Sequence, residues 1–124
     1  MNRKVVKIDG RDVPFCASAA IPRLYRIKFQ RDIFKDIDKL ETSYKAGANG
    51  EKQLEIEDLE IFENVAYIMA LHANPTIEPT IEQWLDNFEM FSIYEILPEI
   101  LDLWGSNIFT DSTAKKNTAQ PSAN

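Results

Sequence analysis

The dipeptide Asp9-Gly10 lies between two runs in which apolar and polar residues alternate, "KVVKI" and "RDVPF". Asp-Gly in that setting signals a type I′ turn, and a two-residue loop leaves only one register for the flanking strands. That register places Val6 opposite Val13. It also puts Val6, Ile8, Val13 and Phe15 on one face, so turn and pattern agree. Residues 4–17 therefore read as a β-hairpin. Pro14 cannot donate to a ladder and marks an edge strand. A lone hairpin is marginal in water, so its apolar face must rest on the rest of the chain.

The segments after the hairpin have helical periodicity. Residues 22–44 read as one long helix with Pro22 at its first position. Phe29, Ile33, Phe34, Ile37, Leu40 and Tyr44 share an arc, with Ile27 at its edge, while Lys28, Arg31, Lys35 and Lys39 form a basic stripe opposite. Asp32 and Asp36 flank the stripe as weak i,i+3 and i,i+4 partners. "KAGANGEK" (45–52) reads as a turn-forming break. A second helix is expected over 57–73, with Leu59, Phe62, Val65, Ala66, Met69 and Ala73 inward and Glu57, Asp58 and Glu60 at its positive end. Tyr67 and Leu71 lie off that stripe, which suggests cover on more than one side. Asn74-Pro75 ends it. Thr80 with Gln83, and Ser92 with Glu95, read as capping boxes opening two further helices, and Phe91 with Ile96 as a hydrophobic staple. Pro98 should kink or restart the last helix, and Gly105 cap it. The fold expected is mainly α (α+β): a hairpin, about four helices in one domain over 1–105, and a flexible polar tail over 106–124.

Cys16 is the single cysteine of the 124 residues, so no disulfide can form within the chain. No apolar run has the length of a signal peptide or a membrane span. A soluble, intracellular protein is expected. Catalytic material is sparse. His72 is the only histidine and reads as a structural residue, and Cys16 as a buried one. No phosphate loop, GxSxG or HExxH occurs. The acids at 57, 58, 60 and 63 are explained by the helix dipole and a solvated face. A non-enzymatic protein without metal or cofactor is expected.

Charge is unevenly distributed. The chain carries −6 in all, yet residues 1–31 carry a net +6 and residues 51–102 a net −12. Arg23, Arg26, Lys28 and Arg31 crowd the start of the first helix, where the macrodipole is already positive. Such asymmetry is a partner signal. A small helical regulatory or adaptor protein whose basic first helix binds nucleic acid is one reading of the stripe, but the acidic remainder would repel phosphate at long range. A protein partner ranks above it, and an enzyme using His72 or Cys16 below both.

The segments "IDGRDVPF", "IPRLYRIKFQRDIFKDI", "ENVAYIMALHAN", "TIEQWLDNFEMFSIYEILPEILDLWG" and "AKKN" occur in this order over about residues 4–117. The chain thereby resembles the tail assembly chaperones of long-tailed bacteriophages and prophages of Gram-positive hosts. Ile21 departs from the pattern, in which a Thr-like cap precedes Pro22. The resemblance implies a non-enzymatic protein of the host cytoplasm, absent from the mature virion, that coats and solubilises the tape measure protein. It also implies a longer form made by ribosomal frameshifting, with Lys115-Lys116 as the expected slippage point, whose extension contacts tail-tube protein. A filament coat suits head-to-tail homo-oligomers built from basic and acidic patches. The candidate interaction residues are Arg23, Arg26, Lys28, Arg31 and Lys35, with Leu24, Tyr25, Tyr67 and Leu71 read either as core or as the lining of a groove for a client helix.

Overall fold

The computed structural model describes residues 2–50 and 54–105. The expected tail over 106–124 and the frameshift position Lys115-Lys116 lie outside the described residues. The element order is β1 (Asn2–Ile8), β2 (Arg11–Ala17), α1 (Ile21–Phe29), α2 (Ile33–Ala48), α3 (Ile56–Ala73), α4 (Ile81–Leu85), a short 3-10 helix (Ser92–Ile96) and α5 (Leu97–Trp104).

The hairpin forms in the register its turn dictates. Val6 pairs with Val13 and Ile8 with Arg11 in a two-stranded antiparallel sheet. Asp9 and Gly10 both take positive φ, 54° and 79°, as a type I′ turn requires. Val6, Ile8 and Phe15 are buried, while Val5 on the other face is exposed.

The single helix expected over 22–44 is two helices. Gln30 adopts a left-handed conformation (φ 59°, ψ 37°) that ends α1, and its N–H bonds to the Arg26 carbonyl. Asp32 then caps α2: its carboxylate accepts the Phe34 N–H at 2.9 Å. Asp32 is therefore a helix cap rather than a partner of the basic stripe. α1 starts one residue before Pro22, with Ala20 as a cap that contributes no side-chain bond. α2 continues through Gly47 to Ala48, so the break begins at Asn49 and not at Lys45.

α3 is the central element. Nine of its residues are buried, and from Val65 to Ala70 burial is continuous. β2, α1 and α2 pack around it, and α5 closes the far side against β1. Ile61, Ile68 and Ala70 join the core beside the expected stripe because the helix is enclosed rather than half-solvated. Glu55 and Asp58 form a reciprocal capping box at its start. Asp58, expected on a solvated face, is instead fully buried.

Thr80 caps α4, accepting the Gln83 N–H at 3.1 Å, but the expected box is only half made: the Gln83 side chain accepts the Thr80 hydroxyl and not its N–H. The second expected capping box does not form. Ser92 gives its hydroxyl to Asp9 at the hairpin turn, the segment is 3-10, and Phe91 is exposed rather than stapled to Ile96. Pro98 lies in the first turn of α5, where it starts a new helix instead of kinking an old one. Gly105 (φ 112°) caps the end. Among the described residues no helix is long and apolar enough to cross a membrane.

Candidate functional site

The basic residues of 23–39 divide into two groups. Arg31 and Lys39 are committed within the molecule. Arg31 holds both oxygens of Asp36, with Nε at 2.7 Å from one and an Nη at 2.8 Å from the other. Tyr25 donates its hydroxyl to the same carboxylate at 2.7 Å. Burial alone would push the Asp36 carboxyl up. The Arg31 and Tyr25 hydrogen bonds outweigh it and hold the group below the ordinary Asp range. Burial and the Asp36 contact together push the Tyr25 phenol well up. This triad ties α1, the link and α2 into a fixed elbow. The weak exposed pair expected of Asp36 is thus a buried, bidentate one.

Lys39 makes the equivalent tie between α2 and α3. Its Nζ is 2.8 Å from Asp58, whose carboxylate also accepts the Ser43 hydroxyl at 3.1 Å and the Glu55 N–H at 2.8 Å. Burial opposes ionisation of Asp58, and these three donors overcome it, so its carboxyl is also held low. Lys4 joins the basic N-terminal segment to the acidic C-terminal one through Glu99 at 2.6 Å and Asp102 at 3.0 Å. Part of the charge asymmetry is therefore neutralised within the fold.

The other basic residues stay on the surface. Arg23, Arg26 and Lys35 are exposed and form no ion pair among the described residues. Lys28 is exposed, yet its ammonium sits 5.5 Å from the centre of the Tyr67 ring, a cation–π contact. Beside these cations stand two exposed apolar side chains, Ile27 (58 % exposed) and Phe34 (60 %). Helical periodicity places Phe34 inward, and the structure does not. Ile33, Ile37 and Leu40 do turn inward, but Phe34, next to Ile33 at the edge of that face, lies on the outside with its ring against Trp104, 5.5 Å between centres. A cleft of about 490 Å³ opens at the elbow, lined by Pro22, Arg26, Gln30, Arg31 and Phe34 among others.

The aromatic candidates separate from this surface. Tyr25 and Tyr67 have no exposed area and belong to the core. Leu24 and Leu71 are partly buried against it. Tyr67 gives its hydroxyl to the Glu78 carbonyl and stacks edge-on with Trp84. The groove reading of Tyr25 and Tyr67 is thereby corrected, because both rings are already covered by their own chain. Ile27 and Phe34 are the apolar surface residues that periodicity missed. Periodicity assigns Phe34 to the inward arc and Ile27 to its edge, and both are exposed.

His72 Nε2 lies 3.0 Å from the Ser18 hydroxyl, linking the end of α3 to the segment after β2. Cys16 is buried. Among the described residues no group of three or more His, Cys, Asp or Glu is arranged to hold a metal ion. No family model, curated protein or solved structure matches this chain.

Proposed function

We propose that this chain is a phage tail assembly chaperone, a non-enzymatic protein that coats the tape measure protein and keeps it soluble in the host cytoplasm until tail-tube subunits replace it. The sequence resemblance supports this reading. The surface observation that carries it is the elbow between α1 and α2, where exposed Arg23, Arg26 and Lys35 stand beside exposed Ile27 and Phe34. Mixed cationic and apolar surface suits a long helical client with acidic and apolar residues. The apolar groups supply burial and the charges set orientation and encounter rate. The nucleic-acid reading is weakened because Arg31 and Lys39, two of the four stripe cations, are already held by Asp36 and Asp58.

Co-expression with the tape measure protein of the same phage tests the proposal. The client should move from the insoluble to the soluble fraction when this chain is present. Paired charge reversals at Arg23 and Arg26 should reduce that effect without lowering the thermal midpoint of the chaperone. A client equally insoluble with and without this chain would remove the main support for the reading.

A further inference from the structure

The sheet has two strands, so each has one edge that meets no partner strand. The turn fixes which backbone groups lie on those edges. Ile8 and Arg11 flank the two-residue type I′ loop and form the first hydrogen-bonded pair. The alternation of an antiparallel ladder then bonds Val6 with Val13, Lys4 with Phe15 and Asn2 with Ala17. Arg3, Val5 and Lys7 on β1, and Asp12, Pro14 and Cys16 on β2, direct their backbone groups outward. The β2 edge is interrupted, because Pro14 has no N–H and Cys16 is buried. The β1 edge is continuous. Arg3, Val5 and Lys7 are exposed, and among the described residues no backbone bond from outside the hairpin reaches them. α5 lies beside β1 without closing this edge. It is tied to the strand by the side chains of Asn2, which donates to the Leu103 carbonyl, and of Lys4, which pairs with Glu99 and Asp102. An open groove of about 400 Å³, lined by Asn2, Arg3, Lys4, Asp102 and Leu103, runs between them.

An exposed edge of this kind accepts an extended peptide as a further strand, with backbone bonds giving affinity and alternate side chains giving specificity. On the outer face Val5, 56 % exposed, stands between Arg3 and Lys7. We infer that β1 accepts an extended acidic segment of another protein as a third, antiparallel strand. Its pattern is acid–x–apolar–x–acid, with the apolar side chain opposite Val5 and the two acids opposite Arg3 and Lys7. Opposite charges and apolar groups directly across a ladder are favourable pairs. The x side chains lie over the groove and should be uncharged. A second copy of β1 does not fit this edge. Pairing Val5 with Val5 would set Arg3 opposite Lys7 twice, and like charges directly opposite are destabilising. The nearby acids do not bar an acidic strand. Glu99 and Asp102 are held by Lys4, and Asp12 meets Lys7 at 3.0 Å in an exposed pair that a second carboxylate can share. The site uses no residue of the elbow and does not rest on the chaperone reading.

Titration of the full chain with the fluorescent peptide Gly-Glu-Thr-Val-Thr-Glu-Gly tests it, with amide hydrogen exchange followed by NMR. Binding should slow exchange at Arg3, Val5 and Lys7, whose N–H groups face water in the free chain. Lys4, Val6 and Ile8, already bonded within the hairpin, should change little. N-methylation of the peptide's valine amide, which points at β1, should abolish binding, while N-methylation of a threonine amide, which points away, should not. Arg3→Glu together with Lys7→Glu should weaken binding about tenfold, and should let the peptide with lysine in place of glutamate bind instead. Both side chains are exposed, so the thermal midpoint serves as the folding control. No binding, no slowing at the three edge amides, or binding indifferent to N-methylation of the valine would each overturn the proposal. Arg3 and Lys7 would then serve only to keep the β1 edges of two copies apart.

Discussion

Asp36 and Asp58 are nearly or wholly out of solvent, and both are kept ionised by donors from neighbouring elements. Removing such an acceptor leaves its donors short of a partner, which costs more than the net worth of the bond. Asp36→Asn should therefore lower the unfolding free energy by about 2 kcal/mol at pH 7, within the range for hydrogen bonds to charged groups. Arg31 is 45 % exposed in its side chain, so water recovers part of its loss. The pH dependence is set by the direction of the shifts. A carboxyl held lower in the folded state than its unfolded value of about 3.9 adds stability above that value, and the gain disappears as pH falls through the folded values. Stability from these two residues should be level between about pH 7 and 5 and fall below about pH 4. The gap between wild type and Asp36→Asn should narrow over the same acid range. Urea midpoints at neutral and acid pH measure both, and parallel curves for the two proteins would show that Asp36 does not carry the acid sensitivity. The sequence displays Arg31 and Lys39 as members of one stripe and gives no sign that they are committed. Their partners are fixed by the turn at Gln30 and by how α2 lies along the start of α3, and both arise from tertiary packing. The local chemistry is legible: Asp9-Gly10, Thr80-Gln83 and Gly105 each do what their residue types require.

The elbow is where element-level reading fails most clearly. Phe29, Ile33, Ile37 and Leu40 keep helical phase across residues 30–32, so periodicity alone joins α1 to α2. The break is made by one backbone conformation at Gln30 and one cap at Asp32. An Asp before an apolar run is a helix-start signal, but inside an apparently continuous amphipathic stretch it also passes for a surface acid. A left-handed non-glycine residue stores about 1–2 kcal/mol. Gln30→Gly relieves that strain but frees the unfolded backbone, so stability should stay within about 1 kcal/mol of wild type. Gln30→Val places a β-branched side chain at positive φ and should cost about 2 kcal/mol or more. Equilibrium unfolding of the pair decides the matter. A valine variant as stable as the glycine variant would mean that position 30 does not set the elbow. Ser92 illustrates the same limit elsewhere. Its pattern with Glu95 matches that of Thr80 with Gln83, yet its hydroxyl is taken by Asp9, 83 residues away, and it does not cap a helix as Thr80 does.

At the scale of the whole molecule, the hairpin and α3 depend on each other. α3 is apolar on nearly every side over Ile61–Ala70, a pattern that only an enclosed helix can carry. The hairpin supplies one wall of that enclosure and cannot persist alone. Phe15 has no exposed area and meets Trp84 edge-on at 6.4 Å, and Trp84 in turn meets Tyr67 at 5.6 Å and Phe88 at 5.2 Å. One aromatic chain thus runs from the hairpin through α4 to the middle of α3. His72 with Ser18, and Lys4 with Glu99 and Asp102, brace the open end of the same sheet, where Asn2 pairs with Ala17. Phe15→Ala should therefore act on the whole domain and not on the hairpin alone. Truncating a buried phenylalanine costs about 3–5 kcal/mol, a large part of the roughly 5–15 kcal/mol that holds a typical domain together. Far-UV and near-UV circular dichroism should then report a single transition displaced to lower denaturant, with helix and aromatic signals lost together. Deleting residues 1–17 should go further and leave helices without a cooperative transition, because the open face of α3 has no substitute cover. If the deleted chain still unfolds in one sharp step, or if the helix signal of Phe15→Ala outlasts its aromatic signal, α3 draws its stability from the helices alone and the hairpin is an accessory.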